Sequence, residues 1–590
     1  MSNQLENRFS RRDFLKAAGA SAGALAALSG VGGILSSCTS AGVQSSLPNE
    51  WDYTMDVVVV GSGAAASAAA VTAHDGGASV IMLEKAAVTG GTSAKSGGGY
   101  WIPNNSFLRS AGIQDPKEDC MRFLARGNYP VQYNPDDPRL GLPQQEYDLL
   151  STFYDKASEA IEYLAQLEAL VSQSSPNPNP DYLDHFPENR VLRGRSLNPQ
   201  RPAGTPGGQE MMRQLKAWID SNNIQVLTSH RVQQIYLNEE GQVVGLQAMA
   251  NGSAVNVRAN KAVIFGSGGF THNPELVLHY HRGPLFGGCA VPTCTGDFVN
   301  MAQAIGAQLG HMNNGWNAEI VLEQALESSS VPNNVWQPTG DSMVLVNRYG
   351  LRVVNEKRNY NDRTKAHFYW DPVEQEYPNL ILMMVYDQRT SALFAGPTSY
   401  PIPAPDTTAP YVISGQSLQE LSRNIRARVT ELSPRLGIFR IDESFETNLE
   451  ATISRFNEFA DSGVDEDFHR GNYPYDVEWH QNVFSLPRTG TEWAANDKPN
   501  ITMYPFQSQG PYYCILLAPG TLDTNGGPRT NTMAQVIDIN DNPIPGLYGA
   551  GNCIAAPMPY YVAGGATLGP ALTFGYIAGL NAARESVKQV

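Results

Sequence analysis

Residues 56–60, Asp-Val-Val-Val-Val, run directly into Gly61-Ser62-Gly63-Ala64-Ala65-Ala66. That spacing can hold a diphosphate. Gly61 permits a tight turn, Gly63 lets phosphate approach the backbone, and Ala66 leaves room for a helix to pack closely on a strand. The helical run that follows, Ser67 to His74, would aim its first amides at the phosphates. Ala78 to Glu84 reads as a second strand ending in an acid, and Glu84 is placed to accept from ribose hydroxyls. A lone G-x-G-x-x-G says little, but strand, turn, helix, strand and acid together specify a dinucleotide site. A second chemical resource is the phenol. Tyr outnumbers Phe by 26 to 20, and a phenol can donate a hydrogen bond or, once ionised, accept a proton.

These residues need an α/β scaffold to position them. The β-branched run at 56–60 suits a buried parallel strand. Further strands are predicted at Val226–Leu237, within Ala262–Phe270 and at 546–552. A helix ending near Arg584 follows Gly564-Gly565-Ala566-Thr567-Leu568-Gly569-Pro570, with Pro570 suited to its first turn. Both ends of the chain therefore build one domain. The predicted fold class is α/β: a split Rossmann-like dinucleotide-binding domain with an inserted α+β cap domain. Its parts are residues 51–281 and 501–590, with the cap at 282–500 and a leader at 1–45. Within the cap, Val344–Asn355 reads as a hairpin turning near Tyr349-Gly350.

Composition excludes several classes. The net charge of −16 argues against nucleic acid or anionic lipid as partner, since both need a basic face. With 55 Gly and 39 Pro but only 17% charged residues, the chain is neither a solvated acidic tail nor a coiled coil. No strongly apolar run long enough to span a membrane follows the N-terminal region. The six cysteines form no C-x-x-C, so neither iron–sulfur nor c-type haem sites are expected, and no metal site is. Cys289 and Cys294 can pair in an oxidising compartment or remain free. His272 reads as a loop anchor, and His279 and His281 as surface residues. Ser10-Arg11-Arg12-Asp13-Phe14-Leu15-Lys16, before a mild apolar stretch, looks like a twin-arginine signal. The stretch closes on Leu35-Ser36-Ser37-Cys38, similar to a lipoprotein box, so the expectation is a periplasmic or cell-envelope protein. Cys38 is then a lipid anchor, or cleavage nearby leaves a soluble protein.

The chain resembles the 3-ketosteroid 1-dehydrogenase family, within the fumarate reductase-like flavoproteins. The resemblance covers most of residues 54–585. It rests on Ser96-Gly97-Gly98-Gly99 with Trp101-Ile102-Pro103-Asn104-Asn105, Gly194-Arg195-Ser196 and Gly268-Gly269-Phe270-Thr271-His272-Asn273. Thr295-Gly296-Asp297, Gly526-Gly527-Pro528-Arg529-Thr530 and the closing Gly565–Tyr576 segment add to it. It implies FAD as cofactor, held by Gly61, Gly63, Ala64, Ala65, Ala66, Glu84 and Lys85, and by Gly91, Thr92, Ser93, Ser96, Gly97 and Gly98 of a Gly-rich loop. Val232 would hold adenine through its backbone, and Gly268, Gly551, Asn552, Gly569, Ala571 and Leu572 complete the set. Relatives with covalent flavin use a His near the Gly-rich loop. None occurs between His74 and His185, which implies non-covalent FAD.

The resemblance also implies catalytic residues. Fumarate reductases place an Arg four residues beyond the Glu of Arg-x-x-Asn-Glu. Here Arg352-Val353-Val354-Asn355-Glu356 leads to Tyr360, as in ketosteroid dehydrogenases. An Arg suits a dicarboxylate and a Tyr a neutral ring. Arg358 and Arg363 flank Tyr360, so a slip of register would restore an Arg. Tyr561 and the Gly565 amide resemble the family's donors to the substrate carbonyl, with Tyr560 as rival for the phenol. Tyr360 would then act as a phenolate or nearly so, with Tyr182 the candidate that eases its ionisation, or Tyr182 only lines the site. The implied reaction is dehydrogenation of a 3-ketosteroid-like cyclic ketone to the conjugated enone, with a proton to Tyr360 and hydride to flavin N5. Electrons then pass to an external acceptor, a quinone or a cytochrome. The alternative is a FAD-dependent reductase of a small unsaturated acid of the fumarate or urocanate type.

Overall fold

The computed structural model describes residues 47–395, 400–404, 407 and 409–589. The leader motifs, Arg11-Arg12 and Cys38 among them, lie outside the described residues. The chain first runs through β1 (Tyr53–Val60), α1 (Ala64–Asp75), β2 (Val80–Leu83), α2 (Gly91–Lys95) and α3 (Gly207–Ser221). It continues through β3 (Gln225–Leu227), β4 (Arg231–Leu237), β5 (Val243–Ala250) and β6 (Ser253–Phe265). The middle contributes β7 (Gly315–Val321), β8 (Met343–Val346), α4 (Tyr360–Thr364), β9 (Leu382–Asp387) and β10 (Val412–Gly415). Then come α5 (Leu418–Leu436), α6 (Phe445–Ser462), α7 (Pro474–Trp479) and β11 (Tyr512–Thr524). The end supplies β12 (Gln535–Ile537), β13 (Pro543–Gly549) and α8 (Leu568–Arg584).

The first sheet has the order β12-β13-β6-β1-β2-β3, with β5 and β4 extending it from β6. Strands β13, β6, β1, β2 and β3 are parallel. In β1, Val57, Val58 and Val59 are fully buried, as a continuous apolar run in a covered parallel sheet should be. Seven of the twelve residues of helix α1 are Ala, so it forms readily and stays thin. It packs against α8, where Gly575 and Gly579 face the Ala65 and Ala69 carbonyls so closely that a Cβ would collide. The fold class expected from the sequence is therefore the one observed, with the FAD-type sheet assembled from both ends of the chain.

Two elements depart from expectation. The strand predicted over Val226–Leu237 is broken into β3 and β4. Between them Ser229 has a left-handed φ of 58°, and the amides of Ser229 and His230 donate to the carbonyls of Ala86 and Glu84. Those bonds draw the chain off the sheet edge and onto the loop after β2. At Tyr349-Gly350 the turn forms, but its second arm bridges back only at Arg352, because β8 pairs along its length with β9 instead.

The second sheet is antiparallel, in the order β7-β11-β9-β8, with β10 also on β11. Leu421, Ile425 and Val429 of α5 and Leu449, Ile453 and Phe456 of α6 pack with Val344 and Met383 of this sheet. Its central strand, β11, lies beyond residue 500, so the layer built mainly from 282–500 is completed across that boundary. The C-terminal end of β11 also reaches the first cavity described below, through Leu522 and Asp523.

Candidate active site

Two adjoining cavities lie where the layers meet. The first follows the β1–α1 turn. Gly61 donates to the Leu83 carbonyl at 2.8 Å and has a φ of 105°, and a Cβ there would collide with the Gly266 carbonyl. Gly63 caps α1 without a side chain, which leaves the helix N-terminus facing the cavity. The Ala64 amide donates to Ser93 Oγ at 3.0 Å and so ties this turn to α2. Glu84 is buried at the end of β2. It accepts from Ser62 Oγ at 2.6 Å and from the Ala86 amide at 2.7 Å, which fixes its carboxylate against the cavity with lone pairs to spare.

Of the residues expected to hold cofactor, Gly61, Gly63, Ala64, Ala65, Glu84, Lys85, Gly91, Thr92, Ser93, Ser96, Val232, Gly268, Gly551, Asn552 and Ala571 line this cavity. Lys85 does so while bonded to Asp297 at 3.0 Å. Five others sit elsewhere. Ala66 lies under Gly266, in the tight helix–strand contact its small size allows. Gly97 and Gly98 line the second cavity. Gly569 packs on the Trp101 carbonyl, and Leu572 is buried in the core of α8. An uncapped helix N-terminus, a fixed buried carboxylate and a cleft running on to a second cavity fit a dinucleotide of the FAD type.

The sequence reading missed part of this wall. Asp523 accepts from the Gly269 amide at 2.8 Å, Thr271 Oγ1 at 2.8 Å and the Thr524 amide at 3.0 Å, and burial raises its carboxyl above the ordinary value. Trp316 Nε1 donates to Asn552 Oδ1 at 2.9 Å. A lone acid at the end of an apolar strand was the available signal for Asp523; nothing local marked Trp316. Cys294 lines the first cavity and Cys289 the second, both as free, buried thiols. His272 is an anchor, bonded to Ala290 O and Ser329 Oγ. His279 is exposed, but His281 is half-buried against Phe368 and is no surface residue.

The second cavity, of about 590 Å³, shares Thr92, Ser96, Leu522, Thr567 and Leu568 with the first. Tyr182, Tyr360 and Tyr561 come together in its wall, each 5% exposed or less. The Tyr182 and Tyr360 hydroxyls are 2.5 Å apart. The Tyr561 ring lies 5.1 Å from Tyr182 and 5.6 Å from Tyr360, all edge-on. Tyr360 opens α4, whose start is fixed by Asn359 Oδ1 accepting the Asp362 amide. Gly565 has a φ of 91°, and a Cβ there would lie 2.7 Å from Tyr100 Cα, so no other residue fits without strain. Trp336, Trp479 and Phe484 add aromatic walls that no local pattern could assign, because they are scattered along the chain.

The structure removes two ambiguities. Arg358 is tied to Asp184 at 2.8 Å and Asp476 at 3.0 Å, and Arg363 is buried with Glu319. Neither lines the cavity, so neither replaces Tyr360 there. Tyr560 turns away and donates to Asp362, which leaves the cavity position to Tyr561.

A Tyr360 that rests near ionisation is not what the site produces. Burial pushes its phenol well above the usual value. Tyr182 is raised in the same way, chiefly by burial. Tyr561 is also raised by burial, but hydrogen bonds from Tyr360, Thr567, Tyr182 and the Gly565 amide hold it back. The cluster therefore rests neutral, and Tyr561 and Gly565 both line the cavity.

A family model described as "FAD binding domain" matches residues 56–568. The chain is 32% identical over 352 residues to a 4-oxocyclohexanecarboxylate 2-dehydrogenase of Sinomonas cyclohexanicum, covering 59% of this chain and 55% of that protein. It is 28% identical over 567 residues to a 3-oxosteroid 1-dehydrogenase of Mycolicibacterium smegmatis, covering 82% and 89%. Reductases of fumarate and urocanate are among the more distant matches. In fold it is similar to the 3-ketosteroid Δ1-dehydrogenase of Sterolibacterium denitrificans, with a TM-score of 0.74 and 23% identity over 90% of this chain and 99% of that one.

Proposed function

The chain belongs to the FAD binding domain family and is an FAD-dependent oxidoreductase, and from that premise we propose that it dehydrogenates a 3-ketosteroid-like cyclic ketone to the conjugated enone. The observation that carries this reading is the convergence of three buried phenols, with the two arginines that flank Tyr360 in sequence, Arg358 and Arg363, tied to carboxylates. A dicarboxylate would need a free guanidinium beside the reacting carbons; a neutral ring ketone needs donors at its oxygen and a base at the adjacent carbon.

The ketone oxygen accepts from the Tyr561 hydroxyl and the Gly565 amide, two donors held where enolate charge develops. The adjacent carbon gives its proton to Tyr360 Oη. Tyr182 donates to the Tyr360 oxygen whenever that oxygen is charged. The aromatic walls exclude water. FAD, when bound, supplies the two-electron acceptor for the hydride leaving the next ring carbon. Non-covalent binding of FAD, an external quinone or cytochrome as final acceptor, and an envelope location with Cys38 as lipid tether belong to the same proposal and rest on sequence alone.

The test is dye reduction by the purified yellow protein with a panel of 3-ketosteroids and smaller ring ketones, beside dye-driven reduction of fumarate and urocanate. Turnover of ring ketones is expected. Activity confined to the unsaturated acids would refute the reading.

A further inference from the structure

Among the described residues, the cavity that holds the three phenols is charged in one sense only. Lys95 and Arg201 line it, and no described Asp or Glu does. This is unusual ground in a chain of net charge −16. Other cations near the site have carboxylate partners: Lys85 has Asp297, Arg358 has Asp184 and Asp476, and Arg363 has Glu319. Lys95 has instead, among the described residues, a hydrogen bond from Nζ to the Val331 carbonyl at 3.3 Å and no ion pair. Arg201 forms no ion pair among the described residues; its guanidinium lies against Gly207, which has no room for a Cβ beside it.

The two cations also sit in the right part of the cavity. Lys95 is exposed and Arg201 half-buried, while Tyr182, Tyr360 and Tyr561 are buried. The reacting end of the cavity is thus neutral and phenolic, and its solvent-facing side is cationic. Cations left hydrated at a rim cost little in the free protein, and they attract and orient an oppositely charged ligand. A fully neutral substrate would leave both of them without a partner.

We propose that Lys95 and Arg201 form an anion subsite at the outer side of the substrate cavity, and that the ketone oxidised here carries a carboxylate remote from its carbonyl. The substrate class is then a cyclic keto acid large enough to reach from the phenols to the rim. This inference rests on the ketone dehydrogenase reading and deepens it.

The experiment compares a polycyclic 3-keto carboxylic acid with its methyl ester, using holoenzyme of matched flavin content. For the unmodified protein at low salt, kcat/KM for the acid should exceed that for the ester by about tenfold or more, mainly through KM. The ratio should shrink as salt rises. It should approach one in a Lys95→Gln, Arg201→Gln double variant, and Lys95→Arg alone should preserve it. Because the readout is a ratio within one protein, a general loss of activity does not mimic it. A ratio of one or less in the unmodified protein, or a ratio unchanged in the double variant, overturns the subsite while leaving the ketone reading intact. If the yellow protein oxidises the ester and neutral ring ketones as poorly as the acid, the ketone reading itself fails and the subsite falls with it.

Discussion

Replacing Tyr182 by Phe isolates one atom. Tyr182 is buried, and its ring packs edge-on to Tyr475, Trp479 and Tyr561 at 5.3, 5.6 and 5.1 Å. Phe keeps all of those contacts and removes only the hydroxyl that lies 2.5 Å from Tyr360 Oη. While both phenols are neutral, either can donate, and such a bond contributes about 0.5–1.5 kcal/mol. Once Tyr360 is ionised only Tyr182 can donate, and a bond to a charged group contributes about 1.5–3 kcal/mol. The difference, roughly 1–2 kcal/mol, favours the ionised form, and 1.36 kcal/mol corresponds to one pKa unit. Tyr182→Phe should therefore raise the apparent pKa of the base by roughly 0.7–1.5 units. The sign follows from the role. Tyr360 accepts a proton only when ionised, and burial already raises its pKa, so the rate increases with pH. The variant's rising limb should move to still higher pH, with kcat about 5–30-fold lower on the acid side and recovering toward the parent plateau on the alkaline side. The assay is kcat against pH with one ring ketone and an artificial acceptor in excess. An equal loss at every pH, or a limb displaced to lower pH, would refute the assignment of Tyr182 as donor to the Tyr360 base.

Tyr561→Phe should lower kcat by about 10²–10³-fold while the flavin spectrum is retained, because one of two donors to the developing enolate is removed; a small loss in a rapid-quench or steady-state assay would exclude that role. Gly61→Ala should yield protein with little bound flavin, since the φ of 105° and the Gly266 carbonyl leave no place for a methyl group. The ratio of flavin to protein absorbance after desalting measures this. Arg195 is fully buried and bonds Asp115 at 2.8 Å and Asp181 at 3.1 Å, and burial raises Asp181 to about 6. Arg195→Met should cost about 3–5 kcal/mol at neutral pH by leaving two carboxylates without their partner. Denaturant midpoints should show that deficit narrowing as pH falls toward 5, where Asp181 can take up a proton instead.

What was legible in the sequence and what was not divide by distance along the chain. The β1–α1–β2 unit and Glu84 could be read directly, because turn, helix start and acid lie within residues 56–84 and their geometry is local. The break between β3 and β4 could not, since it depends on carbonyls at Glu84 and Ala86 more than 140 positions away. The same holds for the wall formed by Asp523 and Trp316, and for the cations Lys95 and Arg201, which become notable only when the lining is seen to lack acids.

By itself, the sequence determined a dinucleotide site on an α/β sheet built from both chain ends, and its family resemblance nominated FAD and the tyrosines at 182, 360 and 561. Only the tertiary structure decided that these three phenols meet, that Tyr561 rather than Tyr560 faces the cavity, and that Arg358 and Arg363 are committed elsewhere. It also decided that Tyr360 rests neutral. The physical reason is common to all of these points. Burial, pairing and pKa are sums over neighbours, and the neighbours of a buried side chain come from segments hundreds of residues apart that only folding brings together.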